Sequence, residues 1–449
     1  MNRFYTSGNL IMRIIAVILT VCILTGCAHI EVVRPEPVGR KKEAIPAGAE
    51  RPAKKEETLT YTPSYMDNIG EADYSDAYSG STDAEGYEVA SDEESGGIGG
   101  LIFFTNENLE SAYAANGGKF AYEHLTADFK RVYNQMYLAL LTMSENVGID
   151  VDDADTINRI FNCVMMDHPE IFWVSGYVYT RYTRGESMEA MGFKGSYTMS
   201  KDTVAVRQAS INNYVSACLA GMPTGDDYTK IKYIYEYIIK NTDYDTNAVD
   251  NQNICSVFIN GRSVCQGYSK ATQYLCDRAG VKCTLITGTT IQDGNHAWNM
   301  VYADGNYYYV DTTWGDANYR TESGETGVIP AISYDYLCVP GYELLKTHTP
   351  NSPVELPDCN AIEDNYFVRE GAFFSYVDEA GLQALFDSAY EQGMEFVTVK
   401  AADYYVYLSL KNYLLEDQNV FRILGRRKSD NTISFWENTD SCTISFKLT

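Results

Sequence analysis

The sequence predicts an α+β chain, because three kinds of local pattern occur together. A helical spacing follows Cys265, an Asp-Gly pair at Asp304-Gly305 joins two strand-like runs, and the last hundred residues mix short strands with a helix. The chain has 449 residues, enough for more than one domain even without its first hundred.

At the amino terminus, Arg3 and Arg13 precede an apolar run, Ile14 to Leu24. It is shorter than the roughly 20 residues a bilayer span needs, so residues 1–27 are expected to be a signal peptide. The run ends in Leu24-Thr25-Gly26-Cys27, which resembles the bacterial lipobox. That resemblance implies Cys27 as the lipid attachment site, and a protein held on the extracytoplasmic face of a bacterial cell membrane. Residues 28–100 are expected to be a disordered tether. Their first part is basic and contains Pro, and the part from Met66 to Gly100 carries ten acidic residues and no Lys or Arg. Such a composition buries too little apolar surface to offset chain entropy. As a flexible coil the tether would span about 45–50 Å.

Residues 101–200 are expected to form a mixed N-terminal domain or core extension. Leu125, Phe129, Val132, Tyr133 and Met136 have helical spacing, and a second helix is expected to end near Asp167. Tyr177 to Tyr182 and Ser196 to Met199 read as strands. Residue 168 is a histidine before a proline, and the Asp167-His168 pair reads as a structural cap or turn.

Residues 201–352 carry the chemistry. Gly261-Arg262-Ser263-Val264 reads as a turn, after which Tyr268, Ala271 and Leu275 recur at helical spacing, with Gly280 as the stop. Cys265 therefore falls at a helix N-terminus. Val281 to Thr290, His296 to Ala303 and Asn306 to Asp311 read as strands, the last two joined by a two-residue turn that tolerates positive φ. With Ala303 facing Asn306, Trp298 stands opposite Asp311 and His296 opposite Thr313. His296 and Asp311 then share a face as diagonal neighbours about 7–8 Å apart at the backbone, within reach of a hydrogen bond. A slip of one residue would separate them.

A thiol is mostly protonated at neutral pH, and a helix N-terminus with a nearby imidazolium favours the thiolate. The spacing points to Cys265 as nucleophile, His296 as base and Asp311 as the group that orients the imidazole. The backbone N–H of Cys265 is the natural oxyanion donor. Tyr244 and Gln252 are candidates for a second donor, and Trp298 and Trp314 are expected either to shield the site from water or to serve as core aromatics.

Gly-Arg-Ser-Val-Cys265-Gln-Gly-Tyr-Ser, Asn295-His296-Ala-Trp298-Asn and Val310-Asp311-Thr-Thr-Trp314 together resemble the core of the bacterial transglutaminase-like superfamily. The resemblance implies a papain-like/transglutaminase-like core with a Cys-His-Asp triad at Cys265, His296 and Asp311. Tyr233 to Asp245 resembles the helix and Tyr-Asp that precede the nucleophile in that family. Asp167 to Trp173 resembles a motif in the N-terminal region of its lipoprotein members. Ser269 stands where Ala is more usual. The family includes amine-transferring enzymes, peptidases and degenerate proteins, so the reaction is not fixed by the fold.

Residues 353–449 are expected to be a small C-terminal α+β domain. Phe373 to Val377, Glu395 to Val399 and Cys442 to Leu448 read as strands and Glu379 to Glu391 as a helix. A net charge of −26 argues against nucleic acid as a partner and fits a soluble surface. Nine of the eleven cysteines follow Cys27 without a C-x-x-C pair, so no structural zinc site is expected. No cofactor or metal is required by thiol chemistry. The expected function is a cell-surface thiol acyl-transfer enzyme acting on protein or cell-wall peptide, through a thioester at Cys265 resolved by an amine or by water. A catalytically silent module that binds wall peptides or proteins is the alternative.

Overall fold

The structure, a computed structural model, describes residues 100–449 except 185–186, 292–293, 323–328, 426–431 and 449, together with strands Val32–Val33, Lys54–Tyr61 and Val89–Ala90. The expected signal peptide, Cys27 and most of the expected tether lie outside the described residues. The chain divides into two compact units, one running to Asn213 with 353–355, the other comprising Tyr214–Ser352 and Leu356–Thr449.

In the first unit, Thr105 caps the Asn106–Asn116 helix with a reciprocal pair of hydrogen bonds to Asn108, which satisfies two donors at the helix start. The expected helices are Ala127–Thr142 and Ala154–Asp167, the second capped by Asp153, which accepts from Thr156 N. Asp167 is buried and accepts from the backbone N–H groups of Ala121 and Tyr122 and from the Tyr133 hydroxyl. It is a structural tie between helices.

The sheet of this unit runs Val89–Ala90, Lys54–Tyr61, Val174–Arg184, Ser187–Tyr197, Val147–Ile149. Lys54–Tyr61 falls within the span expected as tether, yet pairs antiparallel with Val174–Arg184. The Ser187–Tyr197 strand was expected only from Ser196. Its glycines hide it, and one of them has a packing reason: a Cβ on Gly195 would lie 2.5 Å from the Tyr197 ring and 2.7 Å from Leu140.

In the second unit, the Asp227–Asn241 helix is capped by Asp226 and buries Ile231, Ile234, Tyr235 and Ile238 at helical spacing. The next helix, Cys265–Ala279, begins at the cysteine and stops at Gly280, whose φ of 77° is the left-handed conformation a glycine favours. Gly267 lies in its first turn. A Cβ there would sit 2.0 Å from Ser263 Oγ and 2.6 Å from Ser256 Oγ, so the incoming chain packs directly against the helix start.

A four-stranded sheet follows in the order Asn306–Val310, Gly294–Ala303, Lys282–Thr290, His348–Pro350. Asp304 and Gly305 take φ of 47° and 95°, and Ala303 faces Asn306 with Asn299 opposite Val310. This is the register the turn specified. Hydrogen bonds tie helix to sheet: Asn299 Nδ2 donates to Ser269 O at 3.0 Å, and Ser269 Oγ lies 2.8 Å from both the Cys265 and Ala297 carbonyl oxygens.

The C-terminal segment belongs to the same compact unit and forms a second sheet, Phe373–Phe374, Phe396–Ala401, Thr443–Lys447, Phe435–Asn438. The Glu379–Glu391 helix packs on it through Leu382 and Phe386 against Val397, Val399 and Phe446. The helices Tyr404–Lys411 and Asn419–Leu424 and the Phe435–Asn438 strand were not anticipated. Lys400 pairs with Glu343 at 2.6 Å, and Asn438 donates to Asp335 at 2.9 Å, joining this sheet to the preceding segment. Helices and strands are mixed throughout, as an α+β chain requires.

Candidate active site

Cys265, His296 and Asp311 reach one place from three elements. The cysteine is the first residue of its helix and is half-buried in a buried surround. His296 lies on the Gly294–Ala303 strand, opposite Gly288. Asp311 directly follows the Asn306–Val310 strand, and its backbone N–H donates to Tyr336 O at 3.0 Å.

The Asp311 carboxylate is fully buried and has four donors. Oδ1 accepts from the backbone N–H groups of Thr313 at 2.9 Å and Trp314 at 3.1 Å. Oδ2 lies 2.8 Å from His296 Nε2 and 3.2 Å from His348 Nε2. Burial alone would push this carboxyl up, but the charge and hydrogen bond of His296, with those of His348, hold it well below the usual carboxylate range. Burial would likewise push the His296 imidazole down. Asp311 outweighs that, helped by a hydrogen bond to Cys265, and the ring is brought up to about 10. At neutral pH the site therefore holds an imidazolium between a carboxylate and the thiol group.

Trp298 and Trp314 frame the imidazole. Their ring centroids lie 6.0 Å and 5.9 Å from that of His296, and both rings are buried. Neither indole N–H has a hydrogen-bond partner among the described residues. Tyr244 lies on a two-residue strand paired with Arg262–Ser263, its ring 4.9 Å from Tyr319. Gln252 uses its Nε2 on Asn251 Oδ1 at 3.0 Å, and its backbone carbonyl accepts from Lys270 Nζ at 3.2 Å.

Two buried cations or potential cations were missed in the sequence. His348 sits on a three-residue strand 37 positions after Asp311, with no periodic pattern to flag it. Lys270 follows Cys265 by five positions on the helix, where a lysine is usually solvated; burial pushes it down to about 8. His296, Asp311 and His348 also place three possible metal-ligand atoms within 4.8 Å of one another. At 2.8 Å and 3.2 Å, however, the His–Asp contacts are hydrogen bonds, and the carboxylate is satisfied without an ion.

A cleft of about 250 Å3 opens beside Trp314, lined by Arg320 and Tyr336 and, from the C-terminal sheet, by Trp436 and Asn438. The nine cysteines of the described residues are all free thiols. No helix among the described residues is long and apolar enough to cross a membrane.

Residues 219–312, which include Cys265, His296 and Asp311, match the family model of the Transglutaminase-like superfamily; this stretch is a transglutaminase-like domain. Kyphoscoliosis peptidase of Mus musculus is 27% identical over 124 residues, 24% of this chain and 18% of that protein. Its Homo sapiens counterpart is 28% identical over 105 residues, 20% of this chain and 16% of that protein. The chain thus spans less than a fifth of either relative. A crystal structure of a TGase shares 12% identity with a TM-score of 0.24, over 41% of this chain and 53% of that one.

Proposed function

We propose that this chain is a cell-surface thiol acyl-transfer enzyme of the transglutaminase-like kind, in which Cys265 attacks an amide carbonyl of a protein or cell-wall peptide. The observation that carries this reading is the 2.8 Å contact between His296 and Asp311, with Cys265 as the other hydrogen-bonding partner of the ring. A thiolate at the helix start supplies the nucleophile, and its own backbone N–H faces the developing oxyanion. The imidazolium then returns its proton to the leaving amine, and a thioester remains on Cys265. An amine resolves it to a new amide; water resolves it to an acid. Asp311 keeps the imidazole oriented throughout.

We place the remote part of the substrate in the cleft beside Trp314, where the C-terminal sheet adds Trp436. The lipobox-like Leu24-Thr25-Gly26-Cys27 supports attachment to a membrane through a lipid on Cys27. No nucleic acid is expected at a net charge of −26.

Incubation with a glutamine-containing peptide and a fluorescent primary amine, read by mass spectrometry, tests the reaction. Amine incorporation or deamidation that disappears in Cys265→Ala is the expected result. A Cys265→Ala protein with wild-type turnover would remove the assignment.

A further inference from the structure

His348, which follows the core segment in the sequence and has no role in the mechanism above, is the second imidazole on the catalytic carboxylate. Its Nε2 lies 3.2 Å from Asp311 Oδ2, the same oxygen that holds His296 at 2.8 Å. Its Nδ1 lies 2.8 Å from Thr347 Oγ1. The ring is 1% exposed and sits 4.5 Å from Trp314, 4.9 Å from Trp298 and 5.4 Å from His296 by centroid. The His348–Pro350 strand fixes it there by pairing with Gly288–Thr290, on the edge of the sheet that also carries His296.

With a carboxylate at Nε2, that nitrogen is the one that carries a proton, so His348 donates to Oδ2. Two donors on one oxygen divide its lone-pair density. We propose that His348 is a positioning residue of the active site: by donating to Asp311 Oδ2 it fixes the carboxylate and limits how tightly Asp311 holds the proton of His296. The inference rests on the reading of Cys265 and His296 given above.

The function of such a device follows from the chemistry. His296 must keep its proton until a thioester forms and then surrender it to the leaving amine. A buried carboxylate with one imidazole partner would retain that proton strongly. Sharing Oδ2 with His348 keeps His296 charged at neutral pH but a better acid. The titratable groups facing His296 are Cys265 from the helix, Asp311 after the hairpin and His348 from the edge strand. Tyr235, from the Asp227–Asn241 helix, faces Asp311 but donates its hydroxyl to Ser333 O at 2.6 Å and is held protonated by burial.

The test is the rate of Cys265 alkylation by iodoacetamide across pH, followed by peptide mapping, in the full chain and its variants. The wild type is expected to show two steps. The lower marks the thiolate–imidazolium pair, and the upper, near pH 10, marks loss of the His296 proton. In His348→Phe the upper step should move up by about one pH unit, with the lower step unchanged. His348→Gln, which can still donate to Oδ2, should restore the wild-type profile. A merely structural histidine would change stability but leave the upper step in place.

Should His348→Phe fail to fold, Thr347→Val frees the ring to turn and should move the upper step in the same direction. An unmoved upper step in a folded His348→Phe or Thr347→Val protein overturns the proposal while the nucleophile reading stands. A wild type with one step at the pH of a free thiol overturns both.

Discussion

Asp311 and His296 hold each other in opposite protonation states, and this has a pH signature. Folding raises His296 from 6.5 to about 10, so its contribution to stability is complete below pH 6.5 and is lost as pH rises through 10. Folding lowers Asp311 from 3.8, so its contribution is present above pH 3.8 and is lost as pH falls below that value. Lys270 acts in the opposite sense. Folding lowers it from 10.5 to about 8, so its penalty is complete below pH 8 and disappears towards 10.5. Lys270→Met should therefore be more stable at neutral pH, by on the order of 2 kcal/mol. It should also lose stability more steeply above pH 8, as read by thermal melts across pH. A less stable Lys270→Met at neutral pH would contradict this. Asp311→Asn should cut acyl transfer by about 10²- to 10⁴-fold through a misoriented imidazole, as seen by steady-state rates. At this scale the sequence was legible where residues are placed by a register: His296 and Asp311 follow from the Asp304-Gly305 turn. His348 was not, because nothing local to His-Thr-Pro says which strand it will join.

The helix beginning at Cys265 works as an element because its first turn is packed and tied to the sheet and its last turn is closed by Gly280. Gly267→Ala would drive a methyl to within 2.0 Å of Ser263 Oγ. Loss of cooperative unfolding, or a large fall in melting temperature, is the expected result by calorimetry. Ser269→Ala removes a hydroxyl that bridges the Cys265 and Ala297 carbonyls. A loss of about 1 kcal/mol with Cys265 reactivity retained is expected. The hairpin, the Cys265 helix, the Glu379–Glu391 helix and three of the four C-terminal strands followed from local pattern. The Ser187–Tyr197 strand did not, since Gly192 and Gly195 lower its apparent strand propensity while serving close packing. The Asn419–Leu424 helix is too short for periodicity to reveal.

At the scale of the whole molecule, the C-terminal sheet lies in the same compact unit as the active site and forms part of the cleft beside Trp314. Trp436→Ala should raise KM while leaving the alkylation rate of Cys265 unchanged; an unchanged KM for every amide substrate that turns over would contradict this use of the cleft. Cys27→Ser should move the protein from the membrane fraction to the soluble fraction of a producing bacterium, as followed by fractionation and lipid labelling. Neither the cleft nor the shared unit was legible in the sequence, because both depend on contacts between distant residues such as Lys400 with Glu343. Activation of the Cys265 thiol is measured by its alkylation between about pH 6 and 8, in wild type and His296→Ala. Rapid alkylation is expected in the wild type, reduced at least about tenfold in the variant. Equal rates in the two proteins, both matching a free thiol, would contradict it.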